Sequence, residues 1–156
     1  MTDAPSLPDH ILTAIYAHVS EEYPNECCGG VWLVGDGSDS TWEVARYTNV
    51  QDEMHARDPE RYPRTARTAY LIAAKELLAI NRRAEEPGQR LAILYHSHPD
   101  HAAYFSDEDV YFAAPMGEPG YPGTVYMVVS VRNGDVQGHR CFGWSDDKGQ
   151  FIEQAC

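Results

Sequence analysis

The order of apolar and amphipathic segments along the chain predicts an α/β fold, a mixed β-sheet flanked by helices. Helical and extended patterns follow each other as one helix, two strands, a helix, a strand, a short helix and two or three strands. Residues 125–131 are almost continuously apolar, which is typical of a strand buried at the centre of a sheet. Asn133-Gly134 follows them closely and predicts a tight hairpin turn into the next strand.

The first part of the chain predicts a helix and then a hairpin. Residues 8–22 carry apolar side chains at helical spacing, namely Ile11, Leu12, Ile15, Tyr16 and Val19. Pro24 lies just past them, where a residue that cannot continue a helix is expected. Residues 28–34 predict a buried strand, residues 35–38 a turn, and residues 42–49 a second strand that pairs with the first.

The middle of the chain predicts a loop followed by a long helix. Residues 50–65 are polar and irregular, and their two X-Pro pairs favour extended backbone. The apolar spacing after them predicts a helix that begins at Thr65 or Thr68 and runs through Ala84, with Leu71 and Ile72 on its buried face. The remaining predicted elements are a strand at residues 91–95, a short helix at 106–113, a polar linker at 115–123, a strand at 136–144 and a short final strand at 151–152.

Length and composition limit the class of protein. The 156 residues, 43% of them apolar, predict one globular domain over residues 1–156, with its core at about residues 10–145. No segment approaches the ~20 apolar residues that span a bilayer. The first residues lack the basic and apolar regions of a secretory signal, so a cytoplasmic protein is expected. The net charge of -12 argues against nucleic acid or an anionic membrane as partner.

The four cysteines fit no disulfide framework. Adjacent residues such as Cys27 and Cys28 rarely bridge each other, and nothing in the spacing brings Cys141 and Cys156 together. Reduced thiols are therefore expected for all four. Cys27 and Cys28 are better explained as small apolar residues at the start of a strand than as nucleophiles.

Two histidines stand at the end of the predicted strand at residues 91–95. Side chains two residues apart on a strand point the same way, so His96 and His98 can direct two imidazoles at one point. Pro99 then turns the chain into a loop, and Ser106 is a candidate N-cap with Asp109 in the first turn of its helix. Two imidazoles and one carboxylate with a fourth position open form the ligand set of a catalytic zinc site.

Simpler explanations exist for each of these residues taken alone. Ser106-x-x-Asp109 has the pattern of an ordinary capping box. His101 is close to the motif but is expected to be a surface residue of the loop. The other histidines are His10, His18, His55 and His139, and none of them needs a role beyond the surface or the core.

The combined spacing resembles the signature of the JAMM (MPN-type) metalloprotease family. That signature is a Glu, a long gap, His-[Ser/Thr]-His-Pro, six residues, Ser, two residues and Asp. Residues 96–99 match the His-Ser-His-Pro segment, and Ser106 and Asp109 follow at the required distances. The upstream Glu is Glu26, within Pro-Asn-Glu-Cys-Cys-Gly at residues 24–29. The resemblance covers about residues 10–145 and implies a layered α/β arrangement similar to that of cytidine deaminases.

The resemblance implies a role for each residue of the motif. One Zn²⁺ per chain would be held by His96, His98 and Asp109, and would lower the pKa of a bound water toward ~7. Glu26 would be the general base and not a ligand, and the Ser106 hydroxyl would stabilise the developing oxyanion. Ser97, between the two histidines, is expected to face the opposite side and to form a local hydrogen bond.

The family also implies the kind of substrate. Short stand-alone members resemble the prokaryotic branch, some of which process ubiquitin-like sulfur-carrier proteins that end in Gly-Gly, and the carrier body is expected to dock on residues 51–64 and 115–123. A peptidase of small peptides and a non-catalytic MPN scaffold remain alternatives. A zinc nucleoside deaminase is disfavoured because it needs a Pro-Cys-x-x-Cys ligand run, which the sequence lacks. The oligomeric state is not predicted.

Overall fold

The computed structural model describes residues 6–156, which form a six-stranded sheet with helices packed against it. In chain order the elements are α1 (Asp9–Glu22), β1 (Cys28–Val34), a 3-10 turn (Gly37–Asp39), β2 (Thr41–Tyr47), α2 (Gln51–Arg57), α3 (Ala74–Ala84), β3 (Gln89–Pro99), α4 (Asp107–Ala113), β4 (Val125–Arg132), β5 (Asp135–Ser145) and β6 (Gln150–Gln154). Among these residues, no helix is both long enough and apolar enough to cross a bilayer.

The sheet is mixed, as the sequence predicts. Its strand order is β2-β1-β3-β4-β5-β6, and β3 and β4 run parallel while every other neighbouring pair is antiparallel. The predicted hairpin turn joins β4 to β5, and both of its central residues, Asn133 and Gly134, have positive φ values of 51° and 84°. Asn-Gly is favoured there because these two residues tolerate the left-handed conformation that a tight hairpin requires.

The core has two parts, one on each face of the sheet. On one face Ile11, Ile15 and Val19 of α1 pack against strand residues that include Tyr95. On the other face Ile80 of α3 packs against residues that include Leu94. Since side chains alternate along a strand, His96 and His98 lie on the same face as Leu94, away from α1.

The segment between β2 and β3 differs from the prediction in two places. Residues 50–65 are not all irregular, because α2 lies within them. This helix has no apolar stripe to reveal it. Its buried residue is Gln51, whose amide donates a hydrogen bond to the carbonyl oxygen of Arg64 at 2.9 Å.

The predicted helix from Thr65 or Thr68 is also wrong, because α3 begins only at Ala74. The residues just before α3 are held in extended backbone by Asn49, which lies two residues past β2. Asn49 Oδ1 accepts a hydrogen bond from the Leu71 N–H at 3.0 Å, and Asn49 forms a β-bridge with Ile72. These long-range bonds outweigh the helical spacing of Leu71 and Ile72.

The expectation of four reduced cysteines is corrected as well. Cys27 and Cys28 are free and buried, as predicted, but Cys141 and Cys156 form a disulfide with their Cα atoms 6.0 Å apart. The pairing of β5 with β6 sets Cys141 opposite Gln154, so Cys156 falls within reach of it. Sequence spacing alone does not contain this strand pairing.

Candidate metal centre

The end of β3 brings two imidazoles together. His96 and His98 project from the same face of the strand, and their Nε2 atoms lie 3.2 Å apart. Both side chains are removed from solvent, with exposed fractions of 1% and 6%. A neutral imidazole has a lone pair on one ring nitrogen, so the two Nε2 atoms can both bind a shared third partner.

Asp109 of α4 completes a triangle with the two histidines. Its Oδ2 atom lies 3.2 Å from His96 Nε2 and 3.4 Å from His98 Nε2. An ion with tetrahedral coordination and ligand distances of about 2.0–2.1 Å separates its ligand atoms by about 3.3–3.4 Å. The three donor atoms therefore have the spacing and the chemical type that Zn²⁺ requires.

The start of α4 positions Asp109 through a capping box. Ser106 Oγ accepts a hydrogen bond from the Asp109 N–H at 3.0 Å, and Asp109 Oδ2 accepts one from the Ser106 N–H at 3.0 Å. The ordinary capping explanation and the ligand hypothesis are thus compatible, because the cap fixes the rotamer that points the carboxylate at the histidines. Ser106 Oγ uses one of its two lone pairs in this bond, so its O–H remains available to donate a hydrogen bond.

The neighbours of the two histidines also orient them. His98 Nδ1 lies 3.0 Å from the carbonyl oxygen of Ala102, which only accepts hydrogen bonds, so Nδ1 carries the proton and Nε2 keeps its lone pair. The His96 ring is stacked on Tyr70 with centroids 4.6 Å apart. Its Nδ1 atom is buried and has no hydrogen-bond partner within residues 6–156.

The charge state of the cluster suits a metal ion. Burial opposes ionisation of Asp109, but His96, His98 and the Ser106 N–H together hold the pKa of its carboxyl well below the usual range. Burial lowers the pKa of His96, so its imidazole is neutral at pH 7. Burial opposes protonation of His98, but its hydrogen bonds with Asp109 and Ala102 and the nearby Glu26 raise its pKa, so a metal ion would displace a proton from this ring. A carboxylate and a neutral imidazole are the forms in which these side chains bind metals.

Glu26 lies beside this triangle, just before β1. Its backbone is held on both sides, since its N–H donates to the Ala66 carbonyl at 2.6 Å and its carbonyl accepts from Asn49 Nδ2 at 2.8 Å. A carboxylate oxygen of Glu26 lies within 4.8 Å of ring nitrogens of His96 and His98. Burial raises the pKa of Glu26 to about 8, which is the range of a general base or acid at neutral pH.

An open cleft leads to these residues from the surface. It is lined by Glu26, His98, Ser106 and Asp109 together with residues of the loops around them, His101 included. Arg64 and Glu108 form an ion pair of 2.9 Å at its rim. A reacting bond that enters the cleft can therefore meet all four side chains.

Two side chains near the centre were not anticipated correctly. Ser97 faces away from the centre, as predicted. Its hydrogen bond is not local, however, because its Oγ accepts from the N–H of Cys27 at 2.9 Å, and Cys27 directly follows Glu26. The contact of Tyr70 with His96 was not predicted, because the sequence around Tyr70 predicts a helix and no short-range pattern indicates a contact with the metal centre. His101 is exposed, as expected.

Comparison with known proteins gives relatives in sequence and in structure. Residues 8–142 match the family model described as prokaryotic homologs of the JAB domain. Two curated proteins named CysO-cysteine peptidase, from Mycobacterium bovis and Mycobacterium tuberculosis, are each 30% identical over 123 residues, which are 79% of this chain and 70% of theirs.

Two solved structures have a similar fold. A protein from Salinibacter ruber is 29% identical, has a TM-score of 0.58, and is matched over 96% of this chain and 87% of its own. A protein from Desulfitobacterium hafniense is 20% identical with a TM-score of 0.60, over 92% and 84% of the two chains. The second likeness concerns the fold alone.

Proposed function

We propose that this chain, which belongs to the family of prokaryotic homologs of the JAB domain, is a zinc-dependent hydrolase of peptide or isopeptide bonds. The observation that carries the proposal is the triangle of donor atoms, 3.2–3.4 Å on each side, next to the buried Glu26. Two imidazole nitrogens and a carboxylate oxygen at this spacing in a buried place are the donor set that suits Zn²⁺.

The ion would be held by His96, His98 and Asp109. When bound, it supplies a Lewis acid and lowers the pKa of water. Glu26 is close enough to the two histidines to take a proton from an attacking water and to pass it to the leaving amine. The Ser106 O–H donates a hydrogen bond to the carbonyl oxygen as negative charge develops on it.

For the substrate we propose a ubiquitin-like protein of the sulfur-carrier type, cut after its C-terminal Gly-Gly. The support is the name of the curated relatives, CysO-cysteine peptidase, together with the cleft. A tail of two glycines can approach a buried centre because it has no side chains to collide with the walls. Binding energy from the folded carrier, remote from the cut, would hold the tail in register.

The surface around the cleft supports a protein substrate over a small peptide. Tyr104 and Phe112 line the cleft and are each 51% exposed, while Tyr111, next to Phe112 on α4, is exposed by 63% and Met116, just after α4, by 89%. Large apolar side chains that a monomer leaves in water as a group mark contact sites for another protein. Met116 belongs to the segment at residues 115–123, one of the two surfaces predicted to receive the carrier body.

The experiment compares a carrier extended beyond Gly-Gly with the same C-terminal tail as a free peptide. We expect kcat/KM to fall sharply for the free peptide, since it lacks the remote contacts. Equal kcat/KM for both substrates would favour the alternative, a general peptidase of small peptides. No cleavage of either substrate by zinc-loaded protein would favour a non-catalytic scaffold.

A further inference from the structure

A second group of metal-binding side chains lies on the opposite face of the sheet, formed by His139, Cys141 and Cys156. One candidate ligand atom from each residue lies within 4.8 Å of the other two. Cys141 is almost fully buried, with an exposed fraction of 1%, and the other two are half-buried. In the structure the two cysteines are joined as a disulfide, so their sulfurs are not available to bind an ion.

This group is separate from the candidate catalytic centre. On β5, His139 is paired with Val129 and Cys141 with Met127, and both partners belong to the core under α1. His96 and His98 project from the opposite face of the sheet. The two groups therefore cannot share one ion.

The surroundings of His139 resemble those of a metal ligand. Its Nδ1 atom forms a hydrogen bond of 2.6 Å with the hydroxyl of Tyr16, which fixes the ring against α1. Ligating histidines usually have their second ring nitrogen held by such a partner.

We propose that reduction of the disulfide turns Cys141, Cys156 and His139 into a second Zn²⁺ site. A dithiol supplies two electrons and two protons to the two sulfurs, the S–S bond breaks, and the dithiol itself becomes a disulfide. Zn²⁺ then displaces the two thiol protons and binds two thiolates and one imidazole, a soft donor set that Zn²⁺ prefers. The fourth position is left to solvent.

Either form fastens the same two parts of the fold. Cys156 lies two residues past β6, and the disulfide ties it to Cys141 on β5. In the reduced protein the ion takes over this link between β5 and the segment after β6. The protein thus keeps this edge of the sheet closed in an oxidising and in a reducing environment.

Cobalt titration tests the proposal, because Co²⁺ replaces Zn²⁺ and absorbs strongly when thiolates bind it. Metal-free protein is divided into an oxidised sample and a sample that is reduced with a dithiol and freed of it without oxygen. We expect the thiolate-to-cobalt absorption only in the reduced sample, which also binds one more Co²⁺ per chain than the oxidised sample. His96, His98, Asp109 and Glu26 contain no sulfur, so failure of the catalytic site lowers both cobalt counts without changing the absorption.

Three variants make the test specific. Cys156→Ser should abolish the absorption, and Tyr16→Phe should weaken cobalt binding at this site about 10–100-fold. Cys27→Ser is the matched control, since it removes a buried thiol outside the group and should leave the absorption unchanged. Reduced wild type without the absorption, or Cys156→Ser with it, overturns the proposal. If Cys156→Ser does not fold, judged by circular dichroism, His139→Ala replaces it, and unaltered cobalt affinity in that variant overturns the proposal.

Discussion

Ser97→Ala should destabilise the protein although the residue touches neither the cleft nor any proposed ligand atom. Ser97 is fully buried, and its Oγ accepts a hydrogen bond of 2.9 Å from the N–H of Cys27. The Ser97 N–H in turn donates to the Cys27 carbonyl at 3.1 Å, so two hydrogen bonds join the histidine-bearing strand to the residue after Glu26. The variant breaks the first of these bonds and leaves a buried N–H without a partner.

The expected cost follows from that unpaired group. An unsatisfied buried donor costs about 1–3 kcal/mol, so the free energy of unfolding should fall by this amount. For a chain of this length, each kcal/mol lowers Tm by about 2–4 °C, which predicts a drop of about 2–12 °C. Hydrolysis should also slow, because Glu26 loses part of its attachment to the strand that carries His96 and His98.

Urea unfolding followed by circular dichroism measures the change. Ser145→Ala is the matched control, since Ser145 is also a buried strand residue but accepts only a longer bond of 3.3 Å from the Lys148 N–H. Lys148 is exposed, so water can replace the bond lost in the control, which should cost no more than about 0.5–1 kcal/mol. If Ser97→Ala is as stable as Ser145→Ala, the link between the strand and Glu26 does not contribute as argued.

Two further predictions concern buried titratable groups. Burial raises the pKa of Cys27 to about 12 and raises that of Cys28 as well, so neither thiol is ionised at neutral pH. Cys27→Ser and Cys28→Ser should therefore keep their hydrolytic activity. Loss of turnover in a folded, zinc-loaded variant would point to a thiol mechanism. Burial lowers the pKa of His18 from 6.5 to about 4, and its neutral Nδ1 lies 2.7 Å from the Tyr95 hydroxyl. The folded state therefore disfavours protonation, and stability present above pH 6.5 should be lost as the pH falls toward 4, by up to about 3 kcal/mol. His18→Gln should reduce this pH dependence in urea unfolding, and an unchanged dependence would contradict it.

The sequence was most informative where short-range geometry determines the structure. The alternation of a strand is enough to place His96 and His98 on one face, and the N-cap pattern is enough to place Asp109 in the first turn of α4. Asn133-Gly134 predicts the hairpin between β4 and β5 because few residues other than Asn and Gly tolerate the positive φ angles of that turn.

Contacts between distant segments account for what was missed. The start of α3 is displaced by hydrogen bonds from Asn49 that no local pattern contains. The Cys141–Cys156 disulfide depends on the pairing of β5 with β6, and the stacking of Tyr70 on His96 depends on a loop without periodicity. The family motif describes the residues expected to carry the chemistry, but it does not contain the bonds that hold them in place.

The most direct test is the zinc content and the hydrolytic rate of Glu26→Gln and His98→Ala, both measured on the oxidised protein. The account predicts that Glu26→Gln keeps one zinc per chain and loses about 10²–10⁴-fold in hydrolysis, because it removes a base and not a ligand. His98→Ala should lose the zinc itself. Zinc loss in Glu26→Gln would make Glu26 a ligand, and full zinc content in His98→Ala would contradict the proposed metal site.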